Sequence, residues 1–456
     1  MQLHPVTRRS LLAGSAGLGA AAVLTACVPG SDPEAEPTPA APVENIETDP
    51  GSLGDLELVV WDQEVRGSQN DSLVALNAAF EEKYPNITIK RTSQAFDDLK
   101  NQVSLALSGN DVPDVVQVNN ARADMGQFVR AGQLLDLTPY SEAYKWEDRF
   151  SPSVLSKVRY SSDAATFGEG NLYGLPQTGE IVGIFYSTKK METLGAEPPT
   201  TWEEYFTLLD DALAAGEQPM VLGNIEKWPA LHVFGPMQAH FVDTEEVVKL
   251  AMGNAGASWL DDGNMMAMEQ FGTWGSEKYF GPSPNGLDYD PAWTDFTKGT
   301  GVFLPGGSWL GTDMEAAMGD DLHFMAPPPA KDGKLATTGG TGIPFSIPAA
   351  AKNADAAAAY IDFITTEDAM QVIADNGGMP VLRTKELAPA GGVQKEIYEA
   401  FDEVSNNGTL LPYLDYATPS FSDTAGQGLQ EVLGEQKTAA EVLQAFEDDY
   451  TEFVDA

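Results

Sequence analysis

Apolar positions in the first part of the chain alternate between two spacings. Leu56-Glu57-Leu58-Val59-Val60 is a short β-rich run that ends at Trp61-Asp62. Leu73, Leu76, Phe80 and Tyr84 then recur at the spacing of one helix face, with Asp71 or Ser72 as the expected cap and Pro85 as the stop. Ile87 and Ile89 alternate as a strand, and Leu99, Val103 and Leu107 mark a second helix ending near Gly109. Val115-Val116-Gln117-Val118 reads as a buried strand that ends at Asn119-Asn120. Strand, helix, strand in this order predicts parallel pairing in a doubly wound α/β sheet.

The same alternation continues downstream. Thr201-Trp202-Glu203-Glu204 has the form of a capping box, with Trp202 expected to pack in the core. Asn353 to Asp375 reads as one alanine-rich helix with Tyr360, Phe363, Ile364 and Met370 facing inward. Thr438 to Phe453 reads as a last amphipathic helix carrying Val442, Leu443, Phe446 and Tyr450. No internal repeat is visible.

The N-terminal pattern is different. Arg8-Arg9 precede an uncharged run of small and apolar residues from Leu11 to Val23, and Leu24-Thr25-Ala26-Cys27 ends it. Basic, apolar and small regions in that order form a secretory signal, and the run is too short for an ordinary transmembrane helix. The paired arginines point to twin-arginine export. The tetrad ending at Cys27 resembles a bacterial lipobox, which implies a signal peptide over 1–26 and lipidation of Cys27. Cys27 is the only cysteine of the 456 residues, so no disulfide framework is possible. From 27 to 54 an acidic, proline-rich stretch without lysine or arginine is expected to be a disordered tether. The chain beyond residue 54 is long enough for two sizeable cores.

Charge narrows the partners. There are 26 basic and 68 acidic residues, a formal net charge of −42, which disfavours nucleic acid and anionic lipid surfaces as partners. With 68 carboxylates, some pair will always look catalytic, so acid count says nothing about enzyme chemistry. More telling is that no Gly-x-Ser-x-Gly elbow, His-Glu-x-x-His, Cys-x-x-Cys or complete P-loop occurs. No enzyme, cofactor or metal is therefore expected. A secreted glycoside-active enzyme, which needs only two carboxylates, stays as an alternative.

Ligands of open α/β sheets bind beyond the carboxyl ends of strands. Two such ends are visible here, at Trp61-Asp62 and at Asn119-Asn120. An aromatic face beside carboxylate and amide groups suits a polyol; the plainer reading is a core tryptophan and an asparagine turn.

Several segments in order then resemble the family 1 extracellular solute-binding proteins, relatives of maltodextrin-binding proteins. They are Leu107-Ser108-Gly109-Asn110-Asp111-Val112-Pro113-Asp114, Ala131-Gly132-Gln133-Leu134-Leu135, Leu172-Tyr173-Gly174-Leu175-Pro176, Pro199-Thr200-Thr201-Trp202, Gly306-Gly307-Ser308-Trp309 and Gly377-Gly378-Met379-Pro380. The resemblance implies a two-lobed, periplasmic-binding-protein-like (Venus flytrap) fold with hinge crossovers. The first lobe would take 55–179 and 336–383, the second 180–335 and 384–456. It also implies a monomeric carbohydrate-capturing component of an ABC importer, anchored by its lipid outside the cytoplasmic membrane and delivering to permease subunits. A polyamine or peptide ligand is the alternative within that role.

Site residues come partly from the same resemblance. Trp309 sits after two glycines, where the backbone can approach a ligand, and the resemblance gives this position a stacking aromatic. By resemblance Glu180 lies at the lobe crossover, Trp228 at a second-lobe aromatic position, and Gly340 on the returning hinge. Met379, Arg383, Tyr413 and Tyr416 are further cleft candidates.

Overall fold

The structure is a computed structural model that describes residues 45–109 and 112–455. The signal peptide, Cys27, the tether as far as 44, and Asn110-Asp111 lie outside the described residues. Residues 45–54, expected to belong to the disordered tether, are docked instead. Ile46 and Leu53 pack on the first apolar core, and the Asn86 amide donates to the carbonyls of Pro50 and Gly54 at 2.9 Å. Composition over the whole stretch concealed these two anchoring side chains.

Among the described residues the strands are β1 (Leu56–Asp62), β2 (Ile87–Ser93), β3 (Val115–Gln117), a short ribbon β4 (Arg159–Tyr160) with β5 (Asn171–Leu172), then β6 (Gly179–Ser187), β7 (Phe303–Gly307), β8 (Leu322–Met325), β9 (Ala336–Thr341), β10 (Phe345–Ser346) and β11 (Thr409–Leu411). They form two main sheets, one to each lobe. In the first, β1 pairs in parallel with β2 and β3, and β10 closes the edge antiparallel to β3. In the second the order is β11-β9-β6-β7, with β8 also on β6, and only the β11–β9 pair is parallel. The parallel pattern legible in the first 120 residues thus belongs to the first sheet.

Burial explains each sheet's position. Leu58 and Val60 of β1 bury one face against Leu73, Leu76 and Phe80 of helix α1 (Gly67–Lys83) and Tyr360, Ile361 and Ile364 of the alanine-rich segment. β6 is apolar on both faces, as a central strand must be. Ile184 and Tyr186 join a core of Trp202, Phe234, Phe271 and Trp274, while Ile181 and Phe185 point the other way, toward Leu304, Phe324 and Ile397.

Two helices depart from the sequence pattern. α1 starts at Gly67, four residues before Asp71, after Arg66 in extended backbone without a side-chain cap. Its first N–H is met from a distant part of the chain, by Asp313 Oδ2 at 3.4 Å, a partner that local sequence cannot reveal. The alanine-rich segment is two helices, Ala354–Ile364 and Glu367–Asp375, separated at Thr365-Thr366. Thr366 caps the second by accepting from the Ala369 N–H. The capping boxes at Thr201/Glu204 and Thr438/Glu441 both form, and Trp202 is buried.

Three stretches of chain cross between the sheets side by side. Leu175 bridges to Phe345, Thr178 to Pro380, and Gly179 pairs with Thr341. Because β9 still belongs to the second sheet, the chain returns to the first only after Thr341, a few residues beyond the expected boundary at 336. The carboxyl ends of β1 and β3 open toward these crossings, and the second lobe faces them.

Candidate ligand-binding cleft

A cavity of about 110 Å³ lies between the lobes and draws its walls from both. The first lobe contributes Gln63, Arg66 and Phe96 with Asn119 and Asn120; the second contributes Trp228, His232, Trp309, Tyr413, Asp415 and Tyr416; Glu180, Thr341 and Ile343 come from the crossing segments.

Local backbone decides where each aromatic goes. Lys227 adopts a left-handed φ of 70°, and the chain turns directly into the helix Trp228–Phe241. Trp228 and His232 are one turn apart on it, so their rings meet with centroids 5.1 Å apart. Trp228 also packs 4.5 Å from Tyr289 and, across the cleft, 6.3 Å from Phe96. Trp309 follows β7, and its indole lies over the bare Cα of Gly307, where any Cβ would fall inside the ring. The Trp309 Nε1–H donates to Tyr289 Oη at 2.9 Å, which fixes the indole plane.

Polar groups fill the spaces between these rings. The Tyr413 hydroxyl donates to Glu180 Oε2 at 3.3 Å, and Gly342 leaves room for that carboxyl, since a Cβ there would lie 3.0 Å from Glu180 Oε1. Asn120 accepts from the Tyr416 hydroxyl at 2.8 Å and donates to the Lys157 carbonyl at 2.8 Å. Asn119 donates to Asp124 at 2.9 Å, and Lys100 pairs with the same carboxylate at 3.2 Å.

Burial controls the charges. Desolvation, helped by the nearby Glu64 carboxyl, pushes Glu180 up to about 8. Glu64 rises to about 7 for the same first reason. Asp415 rises to about 6, through burial opposed by Lys100. His232 is pushed down to about 3 by burial, so its ring is neutral and works as an aromatic wall. Trp228 Nε1, His232 Nδ1 and Thr341 Oγ1 are buried cavity-wall atoms without a hydrogen-bond partner among the described residues. Flat apolar faces interleaved with donors and acceptors are what a polyhydroxylated ring needs. Among the described residues no group of three His, Cys, Asp or Glu could hold a metal ion.

Of the residues singled out from sequence, the cavity brings together Asn119, Asn120, Glu180, Trp228, Trp309, Tyr413 and Tyr416. It does not include Trp61, Asp62, Gly340, Met379 or Arg383. Trp61 packs against the Leu99, Val103 and Leu107 face of helix α2 (Phe96–Leu107), so the plainer reading applies to it. Asp62 is fully buried, bound through both oxygens to Arg91 at 2.7 and 2.8 Å and to the Ser93 hydroxyl at 2.8 Å. Gly340, at φ 144°, lies in β9 opposite Glu180 of β6, and only the next residue reaches the cavity. Met379 lines a separate pocket of about 20 Å³ behind Glu180 and Trp309. Arg383 pairs with Glu386 at 3.0 Å, three residues along its own turn. The cavity also draws on Arg66, Phe96, His232 and Asp415, which the sequence pattern does not mark. For His232 the signal was its i+4 relation to Trp228, and for Asp415 its place between Tyr413 and Tyr416.

Two lobes joined by three crossings, with an aromatic cavity walled by both, define a ligand-clamping receptor. Residues 66–371 match the family model described as bacterial extracellular solute-binding protein, and the chain belongs to that family. The multiple sugar-binding protein of Streptococcus mutans is 27% identical over 327 residues, covering 66% of this chain and 70% of its own. An uncharacterized ABC transporter extracellular-binding protein of Pyrococcus horikoshii is 24% identical over 435 residues, covering 93% of this chain and 90% of its own. A chitin oligosaccharide binding protein of known structure superposes with a TM-score of 0.74 at 19% identity, over 87% of this chain and 99% of that one. No helix among the described residues is long and apolar enough to cross a membrane.

Proposed function

We propose that this protein captures a carbohydrate outside the cytoplasm and presents it, clamped between its lobes, to the permease of an ABC importer. The observation that carries this reading is the cavity itself. Trp228, Trp309, Tyr413 and Tyr416 supply ring faces, and Glu180, Asp415 and Asn119 supply hydroxyl-pairing groups between them. A sugar presents C–H faces and dense hydroxyls, so each wall has a counterpart on the ligand. The sugar-binding name of the Streptococcus mutans relative agrees with this.

In this reading Glu180 and Asp415 hold hydroxyls and perform no hydrolysis, and the protein works as a monomer without a cofactor. Contacts from both lobes favour the closed form, which is what a permease recognises. Export by the paired arginines and lipidation at Cys27 would keep the protein at the outer face of the cytoplasmic membrane.

A thermal-shift screen with mono- and oligosaccharides, polyols, amino acids, short peptides and polyamines tests the reading. A saccharide at about 100 times its dissociation constant adds about 2.7 kcal/mol, a visible rise in Tm. A rise confined to one saccharide series is the expected result. A rise from spermidine or a peptide, with every saccharide silent, would leave an importer component whose ligand is not a sugar. Turnover of a labelled oligosaccharide in excess would make it an enzyme.

A further inference from the structure

We infer that Arg66 couples the ligand to lobe closure, and that Asp290 of the facing lobe is its receiver. The inference rests on the cavity being the ligand site, but not on the ligand being a sugar.

Arg66 leaves the end of β1 and stands immediately before α1, in the first lobe. Its side chain is 15% exposed and spans the cleft. Nη2 donates to Asp290 Oδ1 of the second lobe at 2.9 Å, and the guanidinium lies 5.7 Å from the Tyr289 ring centroid. Nε is buried, has no hydrogen-bond partner among the described residues, and belongs to a side chain that lines the cavity. A guanidinium is rigid and planar, so fixing one nitrogen fixes the direction of the others. A ligand oxygen on Nε therefore holds Nη2 toward Asp290. The other groups near this guanidinium are the Glu64 and Glu180 carboxyls and the Tyr289 hydroxyl.

The receiving side is built to hold still. Asp290 Oδ1 also accepts from Trp293 Nε1 at 2.9 Å, and Asp290 does not line the cavity. Tyr289, the preceding residue, accepts from the cavity-wall indole of Trp309, so the hydroxyl that fixes that indole and the aspartate against Arg66 sit on adjoining positions of one helix, Tyr289–Thr297. Beside the pair, the lobes meet closely: the Gly67 N–H faces Asp313 Oδ2 at 3.4 Å, and a Cβ on Gly67 would stand 2.6 Å from Asp313 Oδ1. Arg66 is thus a positioning residue for closure, with Asp290 acting only through it.

Stopped-flow tryptophan fluorescence on the full chain tests this, with D-galactose, raffinose, chitobiose and spermidine as probes and the one that binds best carried forward. Asp290→Asn should speed dissociation about 2- to 5-fold, the range of a partly exposed ion pair, while association changes by less. Asp290→Glu should restore slow dissociation, and about 0.5 M NaCl should bring the wild type toward the Asp290→Asn rate without moving that variant. In an Arg66→Gln background, which carries no charge to pair, Asp290→Asn should add nothing. Unchanged dissociation in Asp290→Asn, or an effect that persists undiminished in Arg66→Gln, overturns the inference. Should no probe bind the wild type, the reading of the cavity falls instead. The latch is then judged by small-angle scattering: Asp290→Lys must enlarge the radius of gyration, and an unchanged radius rejects it.

Discussion

Trp309 depends on a missing side chain two residues away. Its indole occupies the space over Gly307, whose backbone, at φ −89° and ψ 153°, any residue can adopt. Gly307→Ala should therefore leave the strand intact and displace the ring, weakening ligand binding by about 1–3 kcal/mol, the scale of losing a stacked aromatic with its buried area. Titration calorimetry beside a thermal melt checks both halves, and loss of folding with retained affinity would make Trp309 a core residue. Asp62 makes the converse case. It looked like a ligand group because it ends a strand beside a tryptophan, yet Arg91 and Ser93 occupy its oxygens. Asp62→Ala leaves a buried guanidinium unpaired and should cost about 3–5 kcal/mol of stability in chemical denaturation. A stable Asp62→Ala protein that no longer binds would return Asp62 to the site. Side chains with strong chemical character, such as Trp228, Trp309 and Glu180, were legible as candidates. Arg66 was not, because its value comes from a partner far away in the chain, Asp290.

At the scale of elements, legibility tracked the range of the interactions. The units from β1 to β3 could be read because parallel strands with an intervening helix recur over a short stretch of chain, Leu56 to Gln117. The second sheet could not: β6 pairs with β7 through Tyr186 and Phe303, far apart in sequence, and nothing local announces antiparallel pairing. The break at Thr365-Thr366 was hidden because the apolar spacing continues across it. Thr366 restarts the helix by its side chain, so Thr366→Ala should cost about 1 kcal/mol of stability. Denaturant unfolding measures that cost, and saccharide affinity should stay unchanged because Thr366 is not part of the cavity. A fall in affinity instead would show that this helix pair controls the crossings.

For the whole molecule, pH and stability are linked through three carboxyls in or beside the cleft, Glu64 buried and Glu180 and Asp415 half-buried. Glu180, Glu64 and Asp415 hold their protons to about 8, 7 and 6 in the folded chain, against 4.5 for an ordinary glutamate and 3.8 for an ordinary aspartate. Each is raised, so its contribution to stability is complete below the ordinary carboxyl range and is lost as pH rises through the folded value. The ligand-free protein should accordingly melt at progressively lower temperature from about pH 4.5 to about pH 8. Glu180→Gln should flatten the upper part of that slope. An unchanged slope in Glu180→Gln would mean that solvent reaches Glu180 freely and that the cleft is not as closed as the inter-lobe contacts describe it.

A saccharide clamped between the two lobes would stack on Trp228 and Trp309. Titration calorimetry of the full chain with the saccharide chosen by the thermal screen, repeated on Trp228→Ala and Trp309→Ala, measures that stacking. The wild type should bind one saccharide saturably, and each variant should bind it more weakly by about 1–3 kcal/mol. Wild-type affinity retained in both variants would place the sugar elsewhere, and the cavity between the lobes would no longer be its site.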